Sequence, residues 1–463
     1  MGIRKLFKIL LIIFFIHATL STEIVEKIEV SSKALFEKMV SKNMIVIDKE
    51  FINKFGIQKI SDIFRFIPGV HISRRGNGDT SYDISMRGGN FEQVQILING
   101  IPFNNPQTGH FNTDLPISVE NIERIEIARG SSSVSHGPGG SAGKINIILK
   151  EYQGIMVNLT GGDKSLAGAG LGFGEKFGNI KFEVNADTIS SKGYYDGQEY
   201  NNQQLSSTLS YRSAMTSFIF NAGYLTKQFG AKDFYAPFPS KEKIDTGNFN
   251  FNYKMSGKIE HEFNFSMIIH NDDFVLDRYD KDFFRSGSKT LRKYIKYQNY
   301  FSIGDLAFST GADLDHLQIK SSVIGEHSRK RGGLFFNTGI KKDNWGIDVG
   351  VRWNVENNIS PKTSFYSGIY TVFKHNIILR GSYAVSLRYP TFTELYYKSP
   401  ANIGNEELYP EKSENFEVSL DLPLKYFKAG LNLFARKQYQ MIDWIKEDYR
   451  SPWRAVNSDD NDV

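Results

Sequence analysis

The stretch 345-WGIDVGVRWNV-355 decides the fold class, because apolar residues alternate with polar or small ones along its whole length. The apolar set is Trp345, Ile347, Val349, Val351, Trp353 and Val355, and the intervening set is Gly346, Asp348, Gly350, Arg352 and Asn354. A period of two places alternate side chains on opposite faces of a β-sheet. The stretch therefore predicts a strand with one wholly apolar face and one polar face.

The same alternation recurs throughout the second part of the chain. It is present in 180-IKFEVNAD-187, 248-NFNFNYK-254, 263-FNFSMII-269, 416-FEVSLDL-422 and 429-AGLNLFA-435. A soluble β-sandwich with one wet face would show a similar pattern. Strands of about ten residues, aromatic residues such as Tyr253 near strand ends, and the lack of helical patterning favour a membrane barrel instead. We predict a transmembrane antiparallel β-barrel over residues 151–463, in contact with outer-membrane lipid.

Polar segments between these strands predict loops of two lengths. A short turn is expected at 174–179, and long loops are expected at 187–204 and 226–247. In a membrane barrel the short turns face the periplasm and the long loops face the outside. The long loops are rich in Tyr, Phe, Asp and Asn, a composition that suits the capture of a ligand.

The composition agrees with a chain dominated by strands. Aromatic residues make up 14% of the 463 residues, with 36 Phe and 23 Tyr, and there are 41 Gly but only 13 Pro. Such usage favours strands and turns over helices. The absence of cysteine excludes disulfides and cysteine-ligated metals, and the nine histidines show no metal-ligand spacing. We therefore expect no cofactor and no metal site.

The N-terminus has the three parts of a secretory signal peptide. Arg4, Lys5 and Lys8 precede the apolar run 9-ILLIIFFI-16, and small or polar residues follow in 17-HATLST-22. The run is too short for a membrane-spanning helix, although an uncleaved anchor is an alternative. We predict a signal peptide over residues 1–21. Its removal takes away three basic residues and lowers the net charge from +5 to +2, which gives no electrostatic reason to expect nucleic acid as a partner.

Residues 36–150 read as a compact mixed α+β domain. A strand is predicted at 44-MIVID-48, and helical spacing in 56-GIQKISDIFRFIPGV-70 predicts a helix that ends at Pro68. Further strands are predicted at 81–88, 93–100, 122–130 and 145–149, with loops between them. The segment 136-HGPGGSAGKINIILK-150 looks like a phosphate-binding loop, but Pro138 replaces a required glycine and Ile145 a required hydroxyl. We interpret it as a tight loop before a strand.

This order of segments resembles the TonB-dependent outer-membrane receptors. The matching motifs in the mixed domain are 57-IQKISDIFRFIPGVHIS-73, 84-ISMRG-88, 95-QILINGIPFNNP-106 and 116-PISVENIERIEIARGSSSVSHGPGGSAGKINIILK-150. In the barrel they are 387-LRYPTFTELYY-397 and 404-GNEELYPEKSENFEV-418. The resemblance covers nearly the whole chain and implies that residues 36–150 are a plug that fills the barrel.

The resemblance also implies a partner in the inner membrane. Energy for uptake would come from a TonB–ExbB–ExbD-type complex, which contacts a short extended segment before the plug. Residues 22–35 are then a periplasmic tether, and the contact residues would be Glu26, Lys27, Ile28, Glu29, Val30, Ser31 and Ser32. Such a contact would form by strand addition, for which a loose side-chain match is enough. A plain tether is the alternative.

Several residues acquire expected roles from this resemblance. Arg87 and Arg129 each precede a glycine in the plug, and we predict that they latch the plug to carboxylates of the barrel wall; ordinary structural ion pairs are the alternative. The residues predicted to face substrate are Phe103, Asn104, Asn105 and Gln107 of a plug loop, together with Phe234 and Tyr235 of a long barrel loop.

The function implied is energised uptake of a scarce bulky solute, either cobalamin or a ferric siderophore. A passive porin or adhesin is a second possibility, and a secreted enzyme is a third that no constellation of catalytic residues supports. The family closes its barrel with about 22 strands. The 313 residues after residue 150 have room for about 14 strands at roughly 22 residues for each strand with its connection. The end 457-NSDDNDV-463 also lacks a final aromatic, so we expect a truncated product that is missing about a third of its barrel, and a non-transporting product is a further alternative to uptake.

Overall fold

The computed structural model describes residues 44–76, 78, 80–130, 134–357, 359–458 and 461–462. The predicted signal peptide 1–21, the tether 22–35 and the partner-contact segment 26–32 lie outside these residues. Over the described ranges, no helix is both long enough and apolar enough to cross a membrane.

The first part of the described chain is a small mixed domain. Its elements are β1 (Met44–Asp48), α1 (Lys49–Lys54), α2 (Ile60–Ile63), β2 (Val70–Arg74), β3 (Tyr82–Met86), β4 (Val94–Ile98), β5 (Ile101–Pro102), β6 (Ile122–Arg129) and β7 (Gly143–Leu149), with 3-10 turns at Phe64–Phe66, Phe91–Gln93, Gly109–Phe111 and Val119–Asn121. Five strands form one sheet in the order β1-β6-β7-β4-β5, and β2 pairs with β3. Only β4 and β7 run parallel in that sheet.

The core of this domain is apolar and fully enclosed. Ile63, Ile125 and Ile147 are each 0% exposed and belong to one cluster that joins the sheet to α2. The predicted helix is much shorter in the structure, where α2 has four residues and passes directly into a 3-10 turn. Pro68 restricts the residue before it to extended conformations, and Gly56 adopts a left-handed φ of 59°, so helical geometry is confined between them.

The second part of the chain is one large antiparallel wall. Its elements are β8 (Gly154–Gly162), β9 (Leu166–Phe177), β10 (Ile180–Ser191), β11 (Tyr200–Arg212), β12 (Thr216–Gly230), β13 (Lys241–Met255), β14 (Ile259–Val275), β15 (Arg285–Ile303), β16 (Leu306–Ser321), β17 (Gly325–Lys341), β18 (Trp345–Glu356), β19 (Ile359–Val372), a 3-10 turn (Lys374–Asn376), β20 (Ile378–Arg388), α3 (Phe392–Tyr396), β21 (Asn402–Ile403), β22 (Glu411–Pro423), β23 (Lys428–Tyr439), β24 (Met441–Ile445), β25 (Trp453–Ser458) and β26 (Asn461–Asp462).

Neighbours in this wall are almost always neighbours in sequence. The described sheet has sixteen strands in the order β26-β23-β22-β20-β19-β18-β17-β16-β15-β14-β13-β12-β11-β10-β9-β8. Because β26 has only two residues, fifteen long strands remain, one more than the approximately fourteen expected. The elements β21, β24 and β25 form a separate small sheet beside the long segment that joins β20 to β22.

The alternation in β18 has the predicted consequence for burial. Trp353 is 62% exposed on the outer face, whereas Arg352 and Asn354 on either side are each 1% exposed. The same inversion holds in β10, where Phe182 is exposed and Glu183 is buried. The prediction of an apolar outward face and a polar inward face is therefore confirmed.

The two predicted long loops are largely strand in the structure. Strand β10 continues to Ser191 and β11 begins at Tyr200, so only residues 192–199 connect them. Strand β12 ends at Gly230 and β13 begins at Lys241, which leaves residues 231–240. The polar ends of these strands keep their cross-strand partners beyond the apolar belt, so hydrogen bonding between backbones extends the sheet where hydropathy alone suggests a loop.

Candidate functional site

Arg87 joins the mixed domain to the inner face of the wall. It follows β3 with a left-handed φ of 47°, and its backbone N–H donates to Gly69 O at 3.0 Å. Its guanidinium donates to both carboxylate oxygens of Glu417 in β22, at 2.7 and 3.1 Å, and to Asn432 Oδ1 at 2.8 Å. The ring of Phe434 lies 4.6 Å from the guanidinium carbon. The contact is a buried ion pair between the two parts of the chain, and its role as a latch stays a prediction.

Arg129 lies close to this pair but is held differently. Its guanidinium donates to Pro68 O at 3.4 Å. Burial and the neighbouring Arg87 lower the pKa of Arg129, while Glu417 opposes that change. The two predicted arginines are thus brought together around one wall carboxylate, which is paired directly with Arg87. A latch function for Arg129 also stays a prediction.

A second buried ion pair joins the two parts of the chain, and here the wall supplies the cation and the mixed domain supplies the carboxylate. Lys227 of β12 pairs with Asp114 and also donates to Thr80 O at 2.6 Å. Lys227 and Asp114 are 3% and 2% exposed, respectively. Sequence reasoning missed this pair. The alternation in β12 was the available signal, because it places Lys227 on the same inward face as Leu225 and Phe229.

Gln93 forms a third polar connection between the two parts. Its amide nitrogen donates to Glu411 Oε2 at 2.8 Å, and its amide oxygen accepts from Arg436 at 2.7 Å. Both partners are on the wall, in β22 and β23. An amide that both donates and accepts is fixed in one orientation. This contact therefore specifies how the mixed domain is aligned with the wall, in addition to the attraction between charges.

Two of the predicted substrate-facing residues serve the interior of the mixed domain instead. Phe103 is 4% exposed and packs in the central apolar cluster. The Asn104 amide accepts from Ile96 N and donates to Val94 O, both at 2.9 Å, and so bridges the backbone of β4. The ring of Phe103 is thus used in packing and the amide of Asn104 in backbone hydrogen bonds, and a contact of either residue with substrate stays a prediction.

The other two residues of that stretch lie under a segment of the wall. The backbone N–H groups of Phe392 and Thr393 donate to Pro106 O at 3.0 Å and to Gln107 O at 3.1 Å. A capping box between Thr391 and Glu394 starts α3 at this point. Gln107 is 6% exposed, and its N–H donates to the Asn105 side chain at 2.8 Å. The segment between β20 and β22 therefore folds inward and covers this loop.

Phe234 and Tyr235 lie in the segment that joins β12 to β13. Phe234 stacks on Phe229 with 5.9 Å between ring centroids. The guanidinium carbon of Arg75, in the mixed domain, lies 5.2 Å from the ring centroid of Tyr235. Tyr235 remains 46% exposed and so is accessible, whereas Phe234 is mainly a packing residue. A contact of either with substrate stays a prediction.

The inner face near α3 carries a row of arginine–carboxylate pairs. Arg292 binds Asp315 with two hydrogen bonds of 3.0 and 2.8 Å, and Arg352 binds Asp313 with two of 2.6 and 2.7 Å. Arg388 is held between two further carboxylates, Glu394 and Glu411. Paired guanidinium and carboxylate groups of this geometry fix each other rigidly. This row was not predicted residue by residue, although the inward phase of β15 to β20 contains it.

Arg388 connects the row of pairs to the plug loop. It donates to Glu394 in α3 at 2.9 and 3.0 Å and to Glu411 in β22 at 2.7 Å on each oxygen. Glu92 of the mixed domain lies nearby and accepts hydrogen bonds from Gly109 N at 2.8 Å and from Thr108 Oγ1 at 3.0 Å. Burial, with the charge of Glu394, raises the pKa of Glu92 to about 8.

These features define the chain as a β-barrel wall whose polar inner face encloses a folded plug. The profile described as "TonB-dependent Receptor Plug Domain" matches residues 37–144, and the profile described as "TonB dependent receptor-like, beta-barrel" matches residues 152–461. The second match alone covers more than half of the chain, so the protein belongs to the TonB-dependent receptor family. Members of this family are outer-membrane β-barrel transporters, not enzymes.

Curated relatives extend over most of this sequence. The chain is 23% identical over 483 residues to the "Vitamin B12 transporter BtuB" of Photobacterium profundum, covering 92% of this chain and 73% of the relative. It is 20% identical over 436 residues to a protein of the same name in Vibrio vulnificus, covering 88% of this chain and 68% of that relative.

Solved structures with the same fold differ in what their titles say they bind. The siderophore receptor PirA from Pseudomonas aeruginosa gives a TM-score of 0.73 at 16% identity, covering 90% of this chain and 80% of that one. The copper transporter OprC gives the same score and identity, covering 90% and 74%. At these identities the likeness establishes the fold alone.

Within the described residues, no group of three or more His, Asp or Glu side chains is arranged to hold a metal ion.

Proposed function

We propose that this protein is an outer-membrane receptor for the energised uptake of a scarce bulky solute, either cobalamin or a ferric siderophore. The observation that carries the proposal is a folded plug joined to the inner face of the wall by the buried ion pairs Arg87–Glu417 and Lys227–Asp114. A wall filled in this way does not conduct passively, so a solute passes only when the plug is rearranged. That rearrangement needs work, and a TonB–ExbB–ExbD-type complex would supply it.

Cobalamin and ferric siderophores enter the proposal by likeness. The curated relatives are named as vitamin B12 transporters, and a structural neighbour is named as a siderophore receptor. The accessible Tyr235 and the covering segment around α3 flank the plug loop, and a solute would first meet these two segments. Asn105 and Gln107 would contact it once α3 moves aside.

The partner contact is proposed for Glu26 to Ser32. An extended segment ahead of the plug would add as a strand to the partner, and its backbone would carry most of the binding. Deleting residues 26–32 should abolish energised uptake while leaving solute binding at the cell surface intact. A matched control replaces residues 26–32 with seven alternating Gly and Ser, which preserves the length of the tether.

The test is uptake of labelled cobalamin and of labelled ferric siderophores by cells that lack their own receptors for them. We expect accumulation of one of these with the intact protein, and its loss both with the deletion and with a protonophore that removes the energy source. Accumulation that persists under either treatment would contradict the proposal and support a passive porin. Surface binding without accumulation in any condition would support an adhesin or a non-transporting product.

A further inference from the structure

A cavity lies at the seam between the plug and the wall, beside the row of arginine pairs. The plug lines it with its loop around Asn104 and with the glycine-rich loop at Gly137, and the wall lines it with β15 to β18 and the end of β20. Arg292 closes one side by donating to Asn104 O at 2.9 Å. Charged and tyrosine side chains thus share the lining with apolar residues, and Tyr235 is not among the lining residues.

Three groups in this lining that can donate a hydrogen bond have no partner within the part of the chain that the structure describes. The hydroxyl groups of Tyr294 and Tyr389 and the Nε of Arg331 are buried and unbonded among the described residues. Tyr294 and Tyr389 are 3% and 4% exposed, so bulk water does not satisfy them. Leaving a buried donor unpaired is costly, and three in one cavity indicate a missing acceptor.

Arg331 stands beside one of these hydroxyl-bearing rings. Its guanidinium carbon lies 5.8 Å from the ring centroid of Tyr389. Its nearest carboxylate, Asp315, is 3.8 Å away and is already bound bidentately by Arg292. The other lining aspartate, Asp313, is bound by Arg352 in the same manner. Each aspartate is thus committed to another arginine. Glu356, whose charge also acts on Arg331, is paired with Arg329, so Arg331 keeps capacity for a further anion.

Unpaired acceptors are fewer in the same lining. Among the buried lining atoms that the structure describes, Gln95 Oε1 is the acceptor without a donor, against the three donors above. Arg388 also lines the cavity, but Glu394 and Glu411 neutralise it. Burial and the charge of Glu394 raise the pKa of Glu92, the remaining lining carboxylate, to about 8, so at neutral pH it adds little negative charge.

We propose that this cavity is an anion-binding site in which Tyr294, Tyr389 and Arg331 hold a carboxylate or phosphate group. The two hydroxyls and the guanidinium would donate to its oxygens, which is the arrangement that oxyanions require. The group would belong either to a free inorganic anion or to the transported solute as it passes the plug loop. The site extends beyond the proposed function, because it stands whether or not the protein imports cobalamin or a siderophore.

The test uses the purified full chain in detergent, with inorganic phosphate as the probe, by isothermal titration calorimetry. The double variant Tyr294→Phe/Tyr389→Phe removes only two oxygen atoms, and Arg331→Gln removes the charge. We expect each change to weaken phosphate binding by about tenfold or more. Tyr224→Phe is the matched control, because its hydroxyl donates to Asp245 at 3.0 Å on the exposed face, and its phosphate binding should be unchanged.

Folding does not confound this test. The two hydroxyls make no hydrogen bond in the structure, so their removal should leave the melting temperature unchanged or slightly higher. Phosphate binding that is equal in the wild type and the double variant would overturn the proposal, as would a wild type that binds no phosphate.

A second arm identifies the source of the anion. An anionic ferric complex with free carboxylate groups and an uncharged ferric trihydroxamate are each tested as competitors of phosphate. Competition by the anionic complex alone assigns the site to a group of the solute, and competition by neither assigns it to a free anion; both results support an anion site. Competition by the uncharged complex alone would overturn it. Failure of uptake in cells with binding intact would contradict only the proposed function.

Discussion

The plug and the wall are both built from strands, yet they bury opposite kinds of residue. In the plug, Ile147 at 0% exposure lies in a closed apolar core. In the wall, Ile347 is 39% exposed while its neighbour Asp348 is 5% exposed. The plug encloses its apolar side chains in a core, whereas the wall turns its apolar side outward and its polar side toward the plug. Burial in this chain therefore follows the medium on each side of a strand.

We expect the largest effect when one charge is placed in the apolar core of the plug and the same charge is placed, for comparison, on the apolar outer face of the wall. Ile147→Asp buries an unpaired carboxylate in the plug core and should destabilise the plug by about 4 kcal/mol or more. Ile347→Asp places the same charge on the outward face, where a carboxylate should cost roughly 2 kcal/mol or less. Trypsin digestion of the protein in detergent should then degrade the plug only in the first variant. Equal loss in both variants would contradict the contrast.

The polar side of the wall can be tested with its most buried cation. Arg352→Leu leaves Asp313 as an unpaired buried charge, and we expect a loss of about 3–5 kcal/mol. The double variant Arg352→Leu/Asp313→Leu should recover most of that loss, because no charge is then left unpaired. Thermal unfolding followed by gel mobility measures both.

The control for this pair is an exposed one. Arg285 pairs with Asp273 at 2.8 Å, but both side chains are largely in solvent. Arg285→Leu should have no measurable effect on unfolding, since exposed ion pairs contribute little. A large effect of Arg285→Leu on unfolding would mean that the charges of the wall act together, and that burial does not decide how much an ion pair contributes to stability.

The contribution of the contact between plug and wall can be measured by neutralising Glu417, the wall carboxylate that pairs with Arg87. Glu417→Gln keeps the shape of the side chain and should cost about 2 kcal/mol in plug stability, because Arg87 is left buried without its counter-charge. Protease sensitivity of the plug in urea is the measurement. Glu414→Gln, on the same strand but paired with Lys412 on the outward side, is the matched control and should behave as the wild type.

A further test concerns pH and lies where the plug meets α3. The folded protein holds Glu92 with a pKa of about 8, above its ordinary 4.5, so the folded state binds more protons between these values. The stability that Glu92 contributes is therefore lost as the pH rises from about 4.5 to 8. Glu92→Gln should flatten this dependence and be more stable than the wild type above pH 8. Unfolding at pH 5, 7 and 9 would test it, and parallel curves would contradict it.

Much of this architecture follows from local patterns. The alternation in 345–355 predicts which side of β18 faces outward, and the structure agrees from Trp345 to Glu356. The apolar run at 145–149 predicts β7 and the plug core around it. The exact ends of elements do not follow, because cross-strand hydrogen bonding carries β10 to β13 beyond the apolar belt and Pro68 with Gly56 confines α2.

Less of the candidate site can be predicted from the sequence. Arg87 is predicted as a plug residue that meets a carboxylate, but Glu417 is 330 positions away and no local signal selects it from other inward acids. Phe103 and Asn104 carry the groups expected of a binding loop, yet packing draws both into the plug. The inward phase of a strand is a property of sequence, whereas the partner met on that face depends on how the plug is seated.

The sequence alone indicated the alternating strands of the wall and a compact mixed domain before them, because a period of two and an apolar core leave their pattern in neighbouring residues, and the resemblance to the family identified that domain as a plug. Only the tertiary structure decided which charges pair across the seam, that α3 covers the plug loop, and that Tyr294, Tyr389 and Arg331 share one cavity. The physical reason is separation along the chain. Residues two positions apart set which side of a strand faces outward, whereas ion pairs and cavities join residues hundreds of positions apart through the packing of one region inside another.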